Sequence, residues 1–268
     1  MALFGFIGAG NMGYPLIKAA IRTFGTDEVV YTDVSVERCQ FVMKETGVTF
    51  LKDTPSVVNQ CSFLVLAIKP QFFSSVLSEI KSLVRKDQIV ISIAAGVTIE
   101  TIRESINDQV RIIRAMPNTS AMVDKAMTGI AFAQEEFDSE EKKVIDRFFS
   151  SFGKYEIFDE KLMNAVVCAN GSSPAYVYMF IEALADSVVS YGIPRDKAYV
   201  LAAQTVFGAA AMVLETGEHP GRLKDNVCSP GGTTIAAVKA LEEYGLRNAV
   251  MKATDACYAK AEALSCKK

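Results

Sequence analysis

The chain has 268 residues, half of them hydrophobic, with 28 basic against 31 acidic residues and a formal net charge of -3. That length buries substantial cores and suits two domains better than one; a pI near 5.4 without a basic face argues against nucleic acid. Six cysteines (Cys39, Cys61, Cys168, Cys228, Cys257, Cys266) without Cys-x-x-Cys spacing read as reduced thiols in a reducing compartment. No metal site is expected. The first apolar run lacks a basic lead and ends early in glycines, too short for a signal or membrane segment, so a cytoplasmic location and no membrane partner are expected.

Up to about residue 157, short apolar runs alternate with helical stretches, the pattern of a doubly wound parallel sheet. Strands are predicted at Leu3–Gly8, Val29–Thr32, Ser62–Ile68, Gln88–Ile93, Val110–Ala115 and Thr128–Phe132, with helices at Tyr14–Thr23, Val34–Thr46, Phe72–Val84 and Thr98–Ile106. Several strands are apolar throughout, as strands covered on both faces are. Beyond about residue 160 only helices are predicted: Lys161–Ala169, Ala175–Tyr191, Arg195–Thr216, Thr234–Tyr244 and Leu246–Ser265. The expected fold is α/β: a dinucleotide-binding domain over 1–160 and an all-helical domain over 161–268. Ala202–Leu214 is small and apolar on every side. Either it is the buried centre of one bundle, or a second chain covers it.

The first strand runs into Gly8-Ala9-Gly10-Asn11-Met12-Gly13 and then a helix. In that context Gly8 serves the tight turn, Gly10 the approach of a pyrophosphate and Gly13 the packing of helix on strand. The helix N-terminus faces the anion. Twenty residues past Gly13, Asp33 stands at the end of the second strand, where an acid accepts from a ribose 2′-hydroxyl and repels a 2′-phosphate. Ser35 and Arg38 follow and are able to accommodate NADPH if the acid points away. The coenzyme is NADH or NADPH.

Near the other end, Ser229-Pro230-Gly231-Gly232-Thr233-Thr234 reads either as a helix–helix turn with Thr233 as N-cap, or as an anion nest. In the nest, the amides of Gly232, Thr233 and Thr234 open the next helix and the Ser229 and Thr234 hydroxyls add hydrogen bonds. The only histidine, His219, in the helix-ending turn Gly-Glu-His-Pro-Gly, reads as a helix cap rather than a general acid.

Three further blocks end strands: Ala67-Ile68-Lys69-Pro70, Ser92-Ile93-Ala94-Ala95-Gly96 and Arg114-Ala115-Met116-Pro117-Asn118. With Gly171-Ser172-Ser173-Pro174-Ala175-Tyr176 and Asp225-Asn226-Val227-Cys228 leading into the glycine turn, the chain resembles the pyrroline-5-carboxylate reductases nearly end to end. The resemblance implies reduction of 1-pyrroline-5-carboxylate to L-proline by NAD(P)H, the last step of proline biosynthesis. It also implies a Rossmann domain followed by a helical dimerisation domain, a homodimer that assembles further into a decamer, and a composite site shared between subunits. It puts Ile7, Gly8, Ala9, Gly10, Asn11, Met12, Thr54, Ala67, Ile68, Lys69, Pro70, Ala94, Ala95 and Gly96 at the dinucleotide. Asn226 reaches the cofactor, and Thr233 and Thr234 lie at the substrate carboxylate. Relatives preferring NADPH often carry small polar or proline residues where Asp33 stands. Val167 and Gly217 occupy positions polar in some relatives, so contacts to the ring nitrogen do not transfer.

Two rival readings share the fold. A 3-hydroxyacid dehydrogenase needs a lysine in the stretch Ala175–Phe180, which has none. A non-catalytic nucleotide-sensing scaffold has no use for the glycine turn that this chain retains.

Overall fold

The computed structural model describes residues 1–265; Cys266 lies outside the described residues. The chain packs as two compact units, Met1–Ser172 with the chain from Cys257 onward, and Ser173–Ala256.

In the first unit the order is β1 (Ala2–Ile7), α1 (Gly13–Phe24), β2 (Val29–Thr32), α2 (Val36–Thr46), α3 (Thr54–Val58), β3 (Cys61–Leu66), α4 (Phe73–Ile80) and β4 (Ile89–Ser92). It continues with α5 (Ile99–Ser105), β5 (Arg111–Met116), β6 (Ala126–Ala131), α6 (Ser139–Ser150), β7 (Gly153–Ile157) and α7 (Met163–Val166). The seven strands form one sheet in the order β2-β1-β3-β4-β5-β6-β7. β1 to β5 are parallel, as expected. β6 corrects the expectation: it runs antiparallel to β5, with Ala115 opposite Ile130. Pro117–Lys125 is too short for the helical crossover that a parallel return requires. β7 then pairs parallel to β6, with α6 as its crossover.

Both sheet faces are covered, hence the strands without polar alternation. On one face Phe4, Phe6, Phe148, Phe149 and Phe152 are fully buried, with the Phe4 and Phe148 rings stacked at 4.6 Å. Val57, Leu64, Leu66, Leu77, Ile80 and Val90 fill the other. Each such side chain contributes about 1.5–3 kcal/mol by leaving water.

Sequence patterning missed α3, α6 and β7. β7 is partly polar and lies at the sheet edge. α6 reads as a charged loop, but it carries a capping box in which Asp138 accepts from the Glu141 amide and Glu141 from the Asp138 amide. That is a sequence-visible signal. The helix expected over Lys161–Ala169 is also corrected: after α7 the chain widens into a π-turn at Val167–Gly171, with the Ser172 amide bonding the Val167 carbonyl at 2.9 Å.

The second unit holds α8 (Ser173–Ser190), α9 (Arg195–Thr216), α10 (Pro220–Val227), α11 (Thr233–Glu243) and the first half of α12 (Leu246–Ser265). α8 and α9 meet through the buried Ala185, Ala198 and Ala202. The rest of α9 is bare: Leu201, Phe207 and Met212 are each more than half exposed. Within one chain α9 is therefore not the buried centre of a bundle. α9 is long and apolar enough to cross a membrane by length and composition alone.

Candidate functional site

Because β1, β3 and β4 are parallel, the loops that follow them leave the sheet at one edge. Gly8 turns the chain at φ +99°, and a Cβ there would run into the Ala67 carbonyl. A Cβ at Gly13 would run into the carbonyl of Gly8, whereas nothing lies within 4 Å of the place a Gly10 Cβ would take. The loop is thus closed towards the protein at Gly8 and Gly13 and open at Gly10, where a pyrophosphate would approach. α1 begins at Gly13 with no side-chain cap from Met12 and no acid in its first turn, so its positive end is not neutralised. These residues fit a dinucleotide.

Of the other residues expected at the coenzyme, Ala67 and Ile68 lie against Gly8. Asn11 is exposed beside the glycines, and the Ala67 amide donates a hydrogen bond to the Ile7 carbonyl at 2.9 Å. Ile68 is half-buried, and the exposed Lys69 and Pro70 start a short 3₁₀ turn. Ala94 is buried beside a half-buried Ala95, and Gly96, at φ +77°, lies against the backbone of Leu264. Thr54 opens α3, which Asp53 caps by accepting from the Ser56 amide at 2.9 Å. Hydrogen bonds from Ser56 hold the Asp53 carboxyl below the usual carboxylate range.

Asp33 and Arg38 are engaged within the protein. One Asp33 oxygen accepts from the Ala9 amide at 2.7 Å and the other from the Ser35 amide at 2.9 Å. Ser35 caps α2, and the Arg38 Nε donates to the Ala9 carbonyl at 2.6 Å. Ser35 and Arg38 therefore do not stand idle, as the expected NADPH contact would have them.

Sequence reasoning passed over two groups nearby. Arg114, 3% exposed, pairs with Glu160 at 3.2 Å, and the same carboxylate oxygen accepts from the Ile99 amide at 2.7 Å, fixing the start of α5 just past the Ala94–Gly96 loop. A charge inside the apolar run Ile112-Ile113-Arg114-Ala115 was the available signal, since a buried charge requires a partner. Asn170 bonds the sheet from the π-turn, and nothing local in the sequence marks it.

In the second unit, His219 caps α10: its Nδ1 accepts from the Gly221 amide at 3.1 Å. Asn226 is exposed in the last turn of α10. Gly231 is left-handed at φ +67°. The Gly232 amide bonds the Ser229 carbonyl at 3.1 Å, and the Ser229 hydroxyl sits where a Gly232 Cβ would go. Gly232, not Thr233, is the N-cap of α11, and no side chain caps that helix. The expected nest is therefore narrower, because the Gly232 amide is spent inside the turn. The amides and hydroxyls of Thr233 and Thr234, the first two residues of α11, carry what remains.

The comparisons with known proteins agree with one another. Residues 160–264 match the pyrroline-5-carboxylate reductase dimerisation family, and residues 3–96 match the family described as NADP oxidoreductase coenzyme F420-dependent. The chain is 44% identical over 264 residues to the pyrroline-5-carboxylate reductase of Escherichia coli, covering 97% of each chain. Its fold is similar to that of the enzyme from Coxiella burnetii (TM-score 0.89, 32% identity, 98% of each chain). It is also similar to the Plasmodium falciparum pyrroline carboxylate reductase solved with NADP bound (TM-score 0.88, 30% identity, 98% of each chain). With a curated relative this similar along its whole length, the chain belongs to the pyrroline-5-carboxylate reductase family.

Proposed function

We infer that the protein reduces 1-pyrroline-5-carboxylate to L-proline with NADH or NADPH. The observation that carries this reading, beside family membership, is the pair of uncapped helix starts, each behind a glycine turn: α1 for a pyrophosphate and α11 for a small carboxylate. When bound, the coenzyme supplies a hydride to the imine carbon. The imine nitrogen arrives protonated from solvent and becomes the amine, so the chain needs no strong acid of its own. Its one histidine is committed to capping α10. Its contribution is proximity and orientation, worth up to about 7–11 kcal/mol in favourable cases.

In this reading Ile7 to Met12, Asp33, Thr54, Ala67 to Pro70, Ala94 to Gly96 and Asn226 serve the coenzyme. Thr233 and Thr234 serve the substrate carboxylate, with Gly232 shaping the turn that presents them, and Thr234 and Ser229 are the proposed catalytic residues, their hydroxyls adding hydrogen bonds to the bound substrate. The dimerisation match and the bare apolar face of α9 support an obligate oligomer, which we propose is a homodimer assembled into a decamer. We propose a cytoplasmic location, with no membrane or nucleic-acid partner. Oxidation of NADH and of NADPH in the presence of pyrroline-5-carboxylate, followed at the nicotinamide absorbance, is the test. Loss of signal with neither coenzyme refutes the reading.

A further inference from the structure

We propose that Arg38, with Asp33, is a positioning residue that sets the shape of the glycine loop at Ala9–Gly10, and that Arg38 is not a ligand of a coenzyme 2′-phosphate. The proposal rests on the coenzyme-binding reading above. Ala9 is gripped from two sides. Its amide donates to Asp33 at 2.7 Å, while its carbonyl accepts from the Arg38 Nε at 2.6 Å and the Gly10 carbonyl accepts from Nη2 at 3.4 Å. The guanidinium is itself packed against two rings, with its central carbon 5.2 Å from the Tyr14 centroid and 4.8 Å from that of Phe41. Those rings meet edge to face at 5.3 Å. Arg38 is thereby held by the loop, α1 and α2 together.

A trans peptide points its N–H opposite its C=O. Turning the Ala9 and Gly10 carbonyls towards the guanidinium therefore turns the Gly10 and Asn11 amides away from it. The loop's donors are aimed before any coenzyme arrives, and the ordering cost is not charged to binding. Two of the five guanidinium N–H donors are spent on these carbonyls and the two ring contacts hold its plane, so Arg38 is committed to the loop before any 2′-phosphate arrives.

The test compares Arg38→Met and Arg38→Lys with the unaltered protein. Dissociation constants for NADH and NADPH are measured by coenzyme fluorescence, and amide hydrogen exchange of the glycine loop is measured in the coenzyme-free protein. In Arg38→Met both coenzymes should weaken by the same factor, about tenfold, the order that a hydrogen bond to a charged group supports. Exchange at the loop should rise, and Arg38→Lys should recover part of both effects. Two results overturn the proposal: NADPH losing at least about ten times more than NADH with loop exchange unchanged, which makes Arg38 a phosphate ligand, or no change in either measurement. Should Arg38→Met fold poorly, the lysine variant decides by the same ratio. Failure of the unaltered protein to bind either coenzyme refutes instead the reading on which the proposal rests.

Discussion

Asn170, in the π-turn between α7 and α8, donates its side-chain amide to the carbonyls of Met116 at 2.7 Å and Met127 at 2.9 Å, joining that turn to β5 and β6. The side chain is 6% exposed, so water cannot replace it. Asn170→Leu should take one donor from each of two carbonyls and lower stability by about 1–3 kcal/mol. Urea unfolding with an unchanged midpoint would show that the bonds contribute nothing net.

Gly8 and Gly10 should separate folding from binding. Gly10→Ala puts its methyl where nothing lies within 4 Å, so the melting temperature should hold while coenzyme affinity falls at least about tenfold, as the methyl obstructs the pyrophosphate. Gly8→Ala, at φ +99° against the Ala67 carbonyl, should lower both. Calorimetry with coenzyme titration reads the two effects. Unimpaired NADH binding by Gly10→Ala would remove the pyrophosphate from this loop.

Thr234→Ala removes a hydroxyl from the first turn of the uncapped α11. The KM for the imine should rise by about tenfold or more, since a hydrogen bond to a charged group is worth about 1.5–3 kcal/mol, with coenzyme affinity unchanged. Steady-state kinetics in which only the coenzyme KM moves would reverse the assignment.

The exposed apolar face of α9 should lie at a subunit interface. Phe207, 56% exposed in the single chain, is a suitable probe. Phe207→Asp should give smaller, inactive particles by light scattering, because a buried unpaired charge is costly. A fully active monomer, altered or not, contradicts the proposed assembly.

Asp33→Ser should raise kcat/KM for NADPH relative to NADH. Both coenzymes lose the loop support of the Ala9 contact, but only NADPH is relieved of like-charge repulsion. An unchanged ratio means that Asp33 acts on the loop alone.

The N-terminal architecture was legible in the sequence because its signals are local. Apolar strands, a glycine loop between strand and helix and an acid closing the second strand each state their conformation within a few residues. His219 was legible as a cap, but its turn reads as the end of a helix, whereas the structure has it opening α10. Tertiary structure decided the rest, through contacts that span the chain. The direction of β6 follows from the length of a connection and the edge left open for it. The role of Asp33 depends on an amide twenty-four residues away, and that of Arg38 on carbonyls twenty-eight and twenty-nine residues away. The Gly232 amide, expected at the substrate, proved to be consumed by its own turn. α9 looked equally suited to the centre of a bundle or to an interface, because periodicity shows that a helix must be covered without showing by what. Only the packed chain, with too few neighbours to cover it, separates the two.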